Sequence, residues 1–211
     1  MGIITDIRAG KGRQKRVNIF LDGKFTFSLQ AELATIEGLK VGGDITVRRF
    51  EELSKSDGVQ RCLNAALRYL SHRPRSHAEL MERLQQRGFD TDSIEAVLIK
   101  LKEQGLIDDL AFAQFWKDNR VSFNPRSQWL TRLELRRKGV AEEIIDRVVR
   151  ECDDGESAYQ AALARVQRLP LADYQVFRRR LGEYLRRRGF NYEVINHTVQ
   201  RTWQEYTGRS G

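Results

Sequence analysis

The sequence predicts a mainly α protein, in which three tandem three-helix repeats form an elongated curved array behind a small N-terminal β domain. One observation behind this prediction is a recurring frame. Arg75 and Gly88 are repeated at the same spacing as Arg126 and Gly139. Gly189 repeats the glycine about 50 residues further on, and such a period indicates stacked copies of one supersecondary unit. The second observation is that hydrophobic residues alternate before residue 54 and follow helical spacing after residue 58.

Residues 1–53 are predicted to form the β domain. Hydrophobic residues alternate with polar ones on both sides of Asp22-Gly23, over 17–21 and 25–29. Asp-Gly accepts the positive φ values of a tight turn, so this pattern predicts a β-hairpin. Further elements are expected as strands at 3–7 and 45–47 and a short helix at 31–36.

Two polar segments flank these predicted strands. The segment 54–58 is short, polar and contains Gly58, which predicts a linker between the β domain and the repeats. The basic run at 11–16 is open to two interpretations, a solvated turn or a contact with nucleic acid or a protein partner.

The three repeats are predicted to span 59–105, 106–154 and 155–206. Ser76 followed by Glu79 predicts a helix that begins with a capping box. Gly88 is predicted to end that helix in the left-handed conformation, as are Gly139 and Gly189 in the later repeats. Asp108 is predicted to cap the first helix of repeat two.

The middle helices of repeats two and three carry distinct apolar patterns. Around 127–138, apolar residues that include Trp129 cover most of the circumference, which predicts a central helix flanked by repeats one and three. In repeat three, a break at Pro170 is followed by a helix from about Asp173. The aromatic residues Phe112, Trp116, Phe177 and Tyr184 recur at helical spacing, which predicts packing rather than base stacking.

The net charge and its distribution along the chain indicate the kind of partner that the protein binds. The 211 residues carry a net charge of +8, and the pI is about 9.7. Basic residues concentrate at 120–138 and 178–188, and acidic residues concentrate between them at 139–157. Such a distribution favours binding to a polyanion or to an acidic protein surface. The chain has no apolar run of about 20 residues and no secretory signal, so we expect a cytoplasmic protein without membrane contact. The expected oligomeric state is a monomer.

No arrangement of residues typical of catalysis is evident. The three histidines lack partners at metal-ligand spacing, and Gly10-Lys11-Gly12 lacks the second half of a phosphate-binding loop. Asp108-Asp109 is interpreted as helix capping rather than as a metal or acid–base pair. We therefore expect a protein that is not an enzyme and needs no metal or cofactor.

The basic runs are open to two interpretations, a solvated face or a binding surface. Six arginines within 178–188 repel one another, and an anionic partner would offset that repulsion. Arginine also forms bidentate contacts with phosphates and carboxylates. The residues predicted to bind a partner or nucleic acid are Arg126, Arg132, Arg136, Arg137, Lys138, Arg179, Arg180, Arg186, Arg187 and Arg188.

Four strings of residues stand out in the repeats. They are Arg75-Ser76 with Leu84 and Gly88-Phe89, Gly105-Leu106-Ile107-Asp108-Asp109 with Phe112-Ala113, Asn119-Arg120, and Leu133 with Lys138-Gly139-Val140. Together these strings resemble the RecX regulatory proteins of bacteria. The resemblance covers about residues 60–206, and residues 1–53 look like the β extension of some members. Asn124-Pro125 departs from the pattern, because many members have a glycine before the arginine.

The resemblance implies a modulator of the RecA recombinase. Such proteins lie along the groove of the RecA–single-stranded DNA filament, limit its growth, and reduce ATP hydrolysis and strand exchange. Two alternatives stay open from the residues alone. One is a DNA-binding protein that acts independently of RecA, on single- or double-stranded DNA, and the other is a scaffold.

Overall fold

A computed structural model describes residues 2–10, 15–169 and 173–208. The chain divides into two compact units. The first comprises Met1–His72 and Met81–Gln104, and the second comprises Arg73–Leu80 and Gly105–Gly211. Most of the basic run at 11–16 and the break expected at Pro170 lie outside the described residues.

The first unit begins with a four-stranded antiparallel sheet in the order β3-β2-β1-β4. Its elements are β1 (Gly2–Ala9), β2 (Arg16–Leu21), β3 (Lys24–Gln30), α1 (Ala31–Ile36) and β4 (Asp44–Ile45). The predicted hairpin is confirmed, since Asp22 and Gly23 have φ values of 50° and 77°. The strand expected at 45–47 ends earlier, because Thr46 accepts a hydrogen bond from Arg49 N and caps the next helix.

The predicted linker at 54–58 is wrong, because helix α2 (Val47–Leu70) continues through it. Asp57 is buried, and its carboxylate accepts hydrogen bonds from the Arg16 guanidinium and from Gln30 N at 2.9 and 3.0 Å. A Cβ at Gly58 would lie 3.4 Å from Ser93 Oγ on α4 (Thr91–Glu103). Asp57 occurs here because it pairs with residues distant in the sequence, while Gly58 lies beside α4 at an ordinary van der Waals distance.

The second unit is helical. It contains the start of α3 (His77–Gln86) and the helices α5 (Asp109–Phe123), α6 (Gln128–Arg137), α7 (Glu142–Val149), α8 (Asp154–Val166), α9 (Tyr174–Arg187) and α10 (Tyr192–Thr207). Phe112 and Leu135 are fully buried in one cluster, and Phe177 and Leu181 are fully buried in another. The prediction of aromatic packing is confirmed for these rings, as is the mainly α fold with an N-terminal sheet. No helix in the described part of the chain is long and apolar enough to cross a membrane.

Helix α6 is less enclosed than its composition predicts. Leu135 is fully buried, but Trp129 is 63% exposed. The expectation of a helix covered on most sides is therefore wrong at Trp129. Its ring edge faces Gly189, a residue that offers no side chain to cover it.

Short polar side chains begin the helices of the repeats, as the sequence predicts. Ser76 and Ser127 Oγ accept hydrogen bonds from Glu79 N and Leu130 N, each at 3.1 Å. Asp108 accepts from the amides of Leu110 and Ala111, which confirms the predicted cap of α5. Each such cap contributes about 1 kcal/mol.

Asp109 has a second capping role, which the sequence does not reveal. Its carboxylate accepts from His77 N at 2.8 Å, so Asp109 caps the middle helix of the preceding repeat. Asp154 does the same for Gln128 N at 2.7 Å. The division of the chain at 1–53, 59–105, 106–154 and 155–206 stays a prediction.

Candidate partner-binding surface

Glycines of the frame join consecutive repeats within the second unit. Gly139 has a φ of 70°, and a Cβ there would overlap the Cβ of Ala78 at the start of α3. Ser76 Oγ donates to Lys138 O at 2.5 Å across the same contact. We call this contact joint one. It requires glycine both for its backbone conformation and for the close approach of the two segments.

Joint two repeats this geometry at Gly189. A Cβ on Gly189, whose φ is 85°, would lie 2.5 Å from Ser127 Oγ and 2.8 Å from Leu130 Cβ. Ser127 N donates to Arg188 O at 3.0 Å. The Arg188 guanidinium donates to Asn124 Oδ1 and to Pro125 O, which holds the Asn124-Pro125 turn in place. Arg188, a predicted binding residue, therefore stabilises joint two through these hydrogen bonds.

A carboxylate with several cationic partners stabilises joint one. The carboxylate of Glu79 is 6% exposed and accepts from Arg73, Arg75 and Lys138, at 2.5, 3.2 and 3.1 Å from Oε1. Desolvation raises the pKa of Glu79, but the hydrogen bonds from Arg73 and Lys138 outweigh it and the pKa falls below its usual value. Lys138, another predicted binding residue, is therefore engaged in this cluster.

A second carboxylate accepts hydrogen bonds from several side chains of repeat two. Glu134 is mostly buried and accepts from Trp116 Nε1 at 2.8 Å, from Arg120 Nε at 2.7 Å and from Arg126. The Arg120 guanidinium also lies 4.5 Å from the centre of the Trp116 ring. Arg126, predicted to bind a partner, has an intramolecular role here.

The predicted separation of charge is partly cancelled by folding. Arg132 donates to Glu142 and Asp146, and Arg136 donates to Glu142 at 2.7 Å. The hydrogen bond from Arg136, with a further one from Arg132, lowers the pKa of Glu142 to about 2 against the opposing effect of desolvation. The acidic segment at 139–157 thus supplies counter-ions for two of the predicted binding residues.

The remaining predicted residues stay exposed. Arg137, Arg179, Arg180, Arg186 and Arg187 form no ion pair with any described residue. Arg178, which is not among the predicted binding residues, is also exposed and forms no ion pair with any described residue. We call Arg178, Arg179, Arg180, Arg186 and Arg187 the α9 arginine surface. Phe177, Leu181 and Leu185 are fully buried on the side of α9 away from Arg179, Arg180, Arg186 and Arg187, and Arg178 lies at the edge of that buried side.

A groove of about 380 Å³ runs beside this surface, between α9 and α10. Arg178, Arg179 and Arg186 line it together with the carboxylate of Glu183 and with Tyr192 and Ile195. Gly182 lies at its floor, where a Cβ would meet Ile195 Cγ2 at an ordinary 3.6 Å. Arg178, Gly182 and Arg186 follow one another at four-residue intervals, and this spacing is the sequence signal that would have identified Arg178.

Sequence models of three RecX domains match the chain in order. The regulatory protein RecX N-terminal domain matches residues 2–46, the first three-helix domain of RecX matches 62–101, and the second matches 108–149.

Full-length relatives and solved structures agree with these matches. The regulatory protein RecX of Clostridium perfringens strain SM101 is 30% identical over 212 residues, which cover 98% of this chain and 99% of the relative. That of Clostridioides difficile strain 630 is 30% identical over 204 residues, with coverage of 95% and 96%.

A crystal structure of regulatory protein RecX superposes with a TM-score of 0.63 at 24% identity, over 95% of this chain and all of that one. RecX from Lactobacillus salivarius superposes with a TM-score of 0.58 at 23% identity, over 69% of this chain and 97% of that one. These structures show a shared fold. Because the domain matches follow the order of the chain and the relatives align over nearly their whole length, the protein belongs to the RecX family of regulatory proteins.

Proposed function

We propose that the protein binds the RecA–single-stranded DNA filament and reduces its ATPase activity, its strand exchange and its growth. Membership in a family of regulatory proteins supports a regulatory role without catalysis. The observation that carries the proposal is the α9 arginine surface, where five exposed cations and a single carboxylate, Glu183, lie on one helix and the cations form no ion pair among the described residues. An acidic recombinase surface or DNA phosphates would offset their mutual repulsion.

The predicted binding residues fall into two groups. Arg137 and the α9 arginines contact the RecA filament. Arg126, Arg132, Arg136, Lys138 and Arg188 are held by internal acceptors and set the positions of the helices that present it. The predictions of a cytoplasmic monomer without cofactor belong to the same proposal.

Replacing Arg179, Arg180, Arg186 and Arg187 by alanine is expected to abolish most inhibition of RecA while helicity stays unchanged. The side chains are exposed and unpaired, so their loss removes binding charge without removing a structural contact. RecA ATPase and strand exchange on single-stranded DNA, titrated with each protein, measure the effect.

The matched control removes four exposed cations elsewhere, at Arg147, Arg150, Arg168 and Lys102. It should inhibit RecA like the unmodified protein. Equal loss of inhibition in both variants would show that overall charge acts, rather than the α9 surface. Failure of the unmodified protein to affect RecA at stoichiometric amounts would refute the proposed function.

The substitution Gly182→Ala is expected to raise the stability of the protein while it weakens the inhibition of RecA. A glycine inside a helix costs about 0.5–1 kcal/mol relative to alanine, and the added Cβ has room, so the variant should be more stable by about that amount. Because the methyl group narrows the groove between α9 and α10, inhibition of RecA should weaken. Urea unfolding and the ATPase titration measure the two effects. Unchanged inhibition would show that the groove does not contact the RecA filament.

DNA binding independent of RecA is the second candidate function. The same arginine surface favours it, because guanidinium groups suit phosphates as well as carboxylates. The helices show no residue set specialised for reading base edges, so such binding would be insensitive to sequence. Tight sequence-specific binding to DNA in the absence of RecA would favour this candidate instead.

A further inference from the structure

A second basic groove lies within the first unit. It has a volume of about 380 Å³ and is bounded by α2, the end of β3 and the end of α3. The lining residues are Gln30, Arg61, Asn64, Ala65, Arg68, Arg87 and Phe89. Three of these are arginines and none is a carboxylate, so the groove has a positive potential.

One face of α2 forms a wall of this groove. Arg61, Asn64, Ala65 and Arg68 are spaced by three or four residues and therefore share a face of the helix. Ala65 is buried, and its small side chain leaves room between the two arginines. At the opposite wall, Gln30 N donates to Asp57 Oδ1 at 3.0 Å, which fixes the end of β3 against α2.

Arg87 is present in the groove because repeat one has no repeat before it. The residue before each glycine of the frame is cationic, as Arg87, Lys138 and Arg188. Lys138 and Arg188 both reach back to the preceding repeat, to Glu79 and to Asn124-Pro125. A Cβ at Gly88 would have no neighbour within 4 Å, whereas Gly139 and Gly189 are closely packed. The position that forms a joint in repeats two and three thus supplies, in repeat one, a cation without a carboxylate partner among the described residues.

The arginines of the groove are not neutralised internally. Arg61, Arg68 and Arg87 are exposed, and none forms an ion pair with a carboxylate among the described residues. Asp57, the buried carboxylate of α2, is already paired with Arg16 at 2.9 Å. Arg87 lies 5.8 Å from the centre of the Tyr69 ring, a contact that orients the guanidinium without cancelling its charge.

We propose that this groove binds the sugar–phosphate backbone of single-stranded nucleic acid, with phosphates held by Arg61, Arg68 and Arg87. Guanidinium groups match phosphate oxygens in a bidentate geometry. The amide nitrogen of Asn64 offers a donor for base edges, and the half-buried Phe89 offers a ring for stacking. An acidic peptide fits less well, because its carboxylates would pair with the arginines but leave the Phe89 ring without a stacking partner.

The groove acts on nucleic acid without RecA, so its test is separate from that of the proposed function. The full-length protein is titrated into a fluorescently labelled oligothymidylate, and anisotropy is followed over a range of salt concentrations. Alanine at Arg61, Arg68 and Arg87 is expected to weaken binding by at least about tenfold. It should also reduce the slope of log affinity against log salt by about 2, as expected for three lost single-strand phosphate contacts.

A control removes the same charge from exposed positions of this unit outside the groove, at Arg83, Lys100 and Lys102. It should bind within about threefold of the unmodified protein, because distant exposed charges are largely screened. If the groove variant binds as tightly as this control, the site is not in the groove. Binding of a polyglutamate peptide at this groove, with none of the oligothymidylate, would also overturn the proposal.

Asn64→Asp provides a second test that does not depend on truncating side chains. Asn64 is exposed, and aspartate keeps its size and its acceptor oxygen for Gln60 Nε2. A carboxylate between Arg61 and Arg68 is expected to maintain or raise the melting temperature while it weakens oligothymidylate binding several-fold. Undiminished binding by Asn64→Asp would contradict the proposal.

Discussion

Gly139→Ala is expected to destabilise the second unit by about 3–4 kcal/mol. A left-handed backbone costs a residue with a Cβ about 1–2 kcal/mol, and overpacking of a close contact adds about 1–3 kcal/mol. Gly139 incurs both, because its φ is 70° and its Cβ would overlap that of Ala78. Urea unfolding followed by tryptophan fluorescence measures this effect, since Trp116, Trp129 and Trp203 all lie in the second unit.

Gly105→Ala is the matched control within the same unit. Gly105 has a φ of 68°, but a Cβ there would meet nothing within 4 Å. It should cost about 1–2 kcal/mol, the backbone component alone. Gly189→Ala should resemble Gly139→Ala, because Ser127 Oγ and Leu130 Cβ lie within 3 Å of the added atom. If Gly139→Ala and Gly105→Ala lower the free energy of unfolding equally, joint one accommodates the added methyl group without an energetic cost.

Glu79→Gln is expected to cost about 3 kcal/mol. The substitution removes the negative charge that Arg73, Arg75 and Lys138 share as an acceptor. Breaking a buried ion pair from one side costs about 3–5 kcal/mol, and the partial exposure of Arg73 and Lys138 reduces that figure. Glu143→Gln, at an exposed position of the same unit, is the control and should change the free energy of unfolding by less than about 0.5 kcal/mol.

The cost of Glu79→Gln should depend on pH. The hydrogen bonds from Arg73 and Lys138 hold the pKa of Glu79 below its usual value of 4.5, despite the larger single effect of desolvation. A carboxyl whose pKa is lowered by folding stabilises the protein fully above 4.5, and this contribution is lost as the pH falls through the folded-state pKa. The difference in unfolding free energy between Glu79→Gln and the unmodified protein should therefore shrink below pH 4.5. A difference that stays constant down to pH 3 would mean that lost packing, rather than lost charge, causes the effect.

Local features could be predicted from the sequence because neighbouring residues determine them. The hairpin at Asp22-Gly23, the serine caps and the left-handed glycines each depend on a few consecutive residues. The buried face of α9 follows from helical periodicity. The repeat frame could be recognised in the same way, since it is a pattern of such local signals.

The linker prediction failed for the opposite reason. Asp57 and Gly58 resemble loop residues in isolation, but Asp57 pairs with Arg16 and Gly58 approaches Ser93. The energy of these distant contacts exceeds the helix propensity that a glycine and an aspartate lose. Periodicity gives no information on such contacts, so the continuous helix α2 could not be predicted from it.

By itself, the sequence determined the secondary structure of the repeats and the positive faces they carry, because caps, turns and amphipathic spacing act over a few residues. Tertiary structure alone decided which of those cations remain available. Lys138 lies 59 residues from Glu79, and Arg188 lies 64 residues from Asn124, yet the joints bring each pair into contact. Packing pairs Lys138 with a carboxylate and gives Arg188 neutral oxygen acceptors. The arginines of α9, and Arg61, Arg68 and Arg87 of the first unit, form no ion pair among the described residues. The sequence gives the positions of the charged residues. Whether each charge is neutralised depends on distances between side chains, which only the folded structure determines.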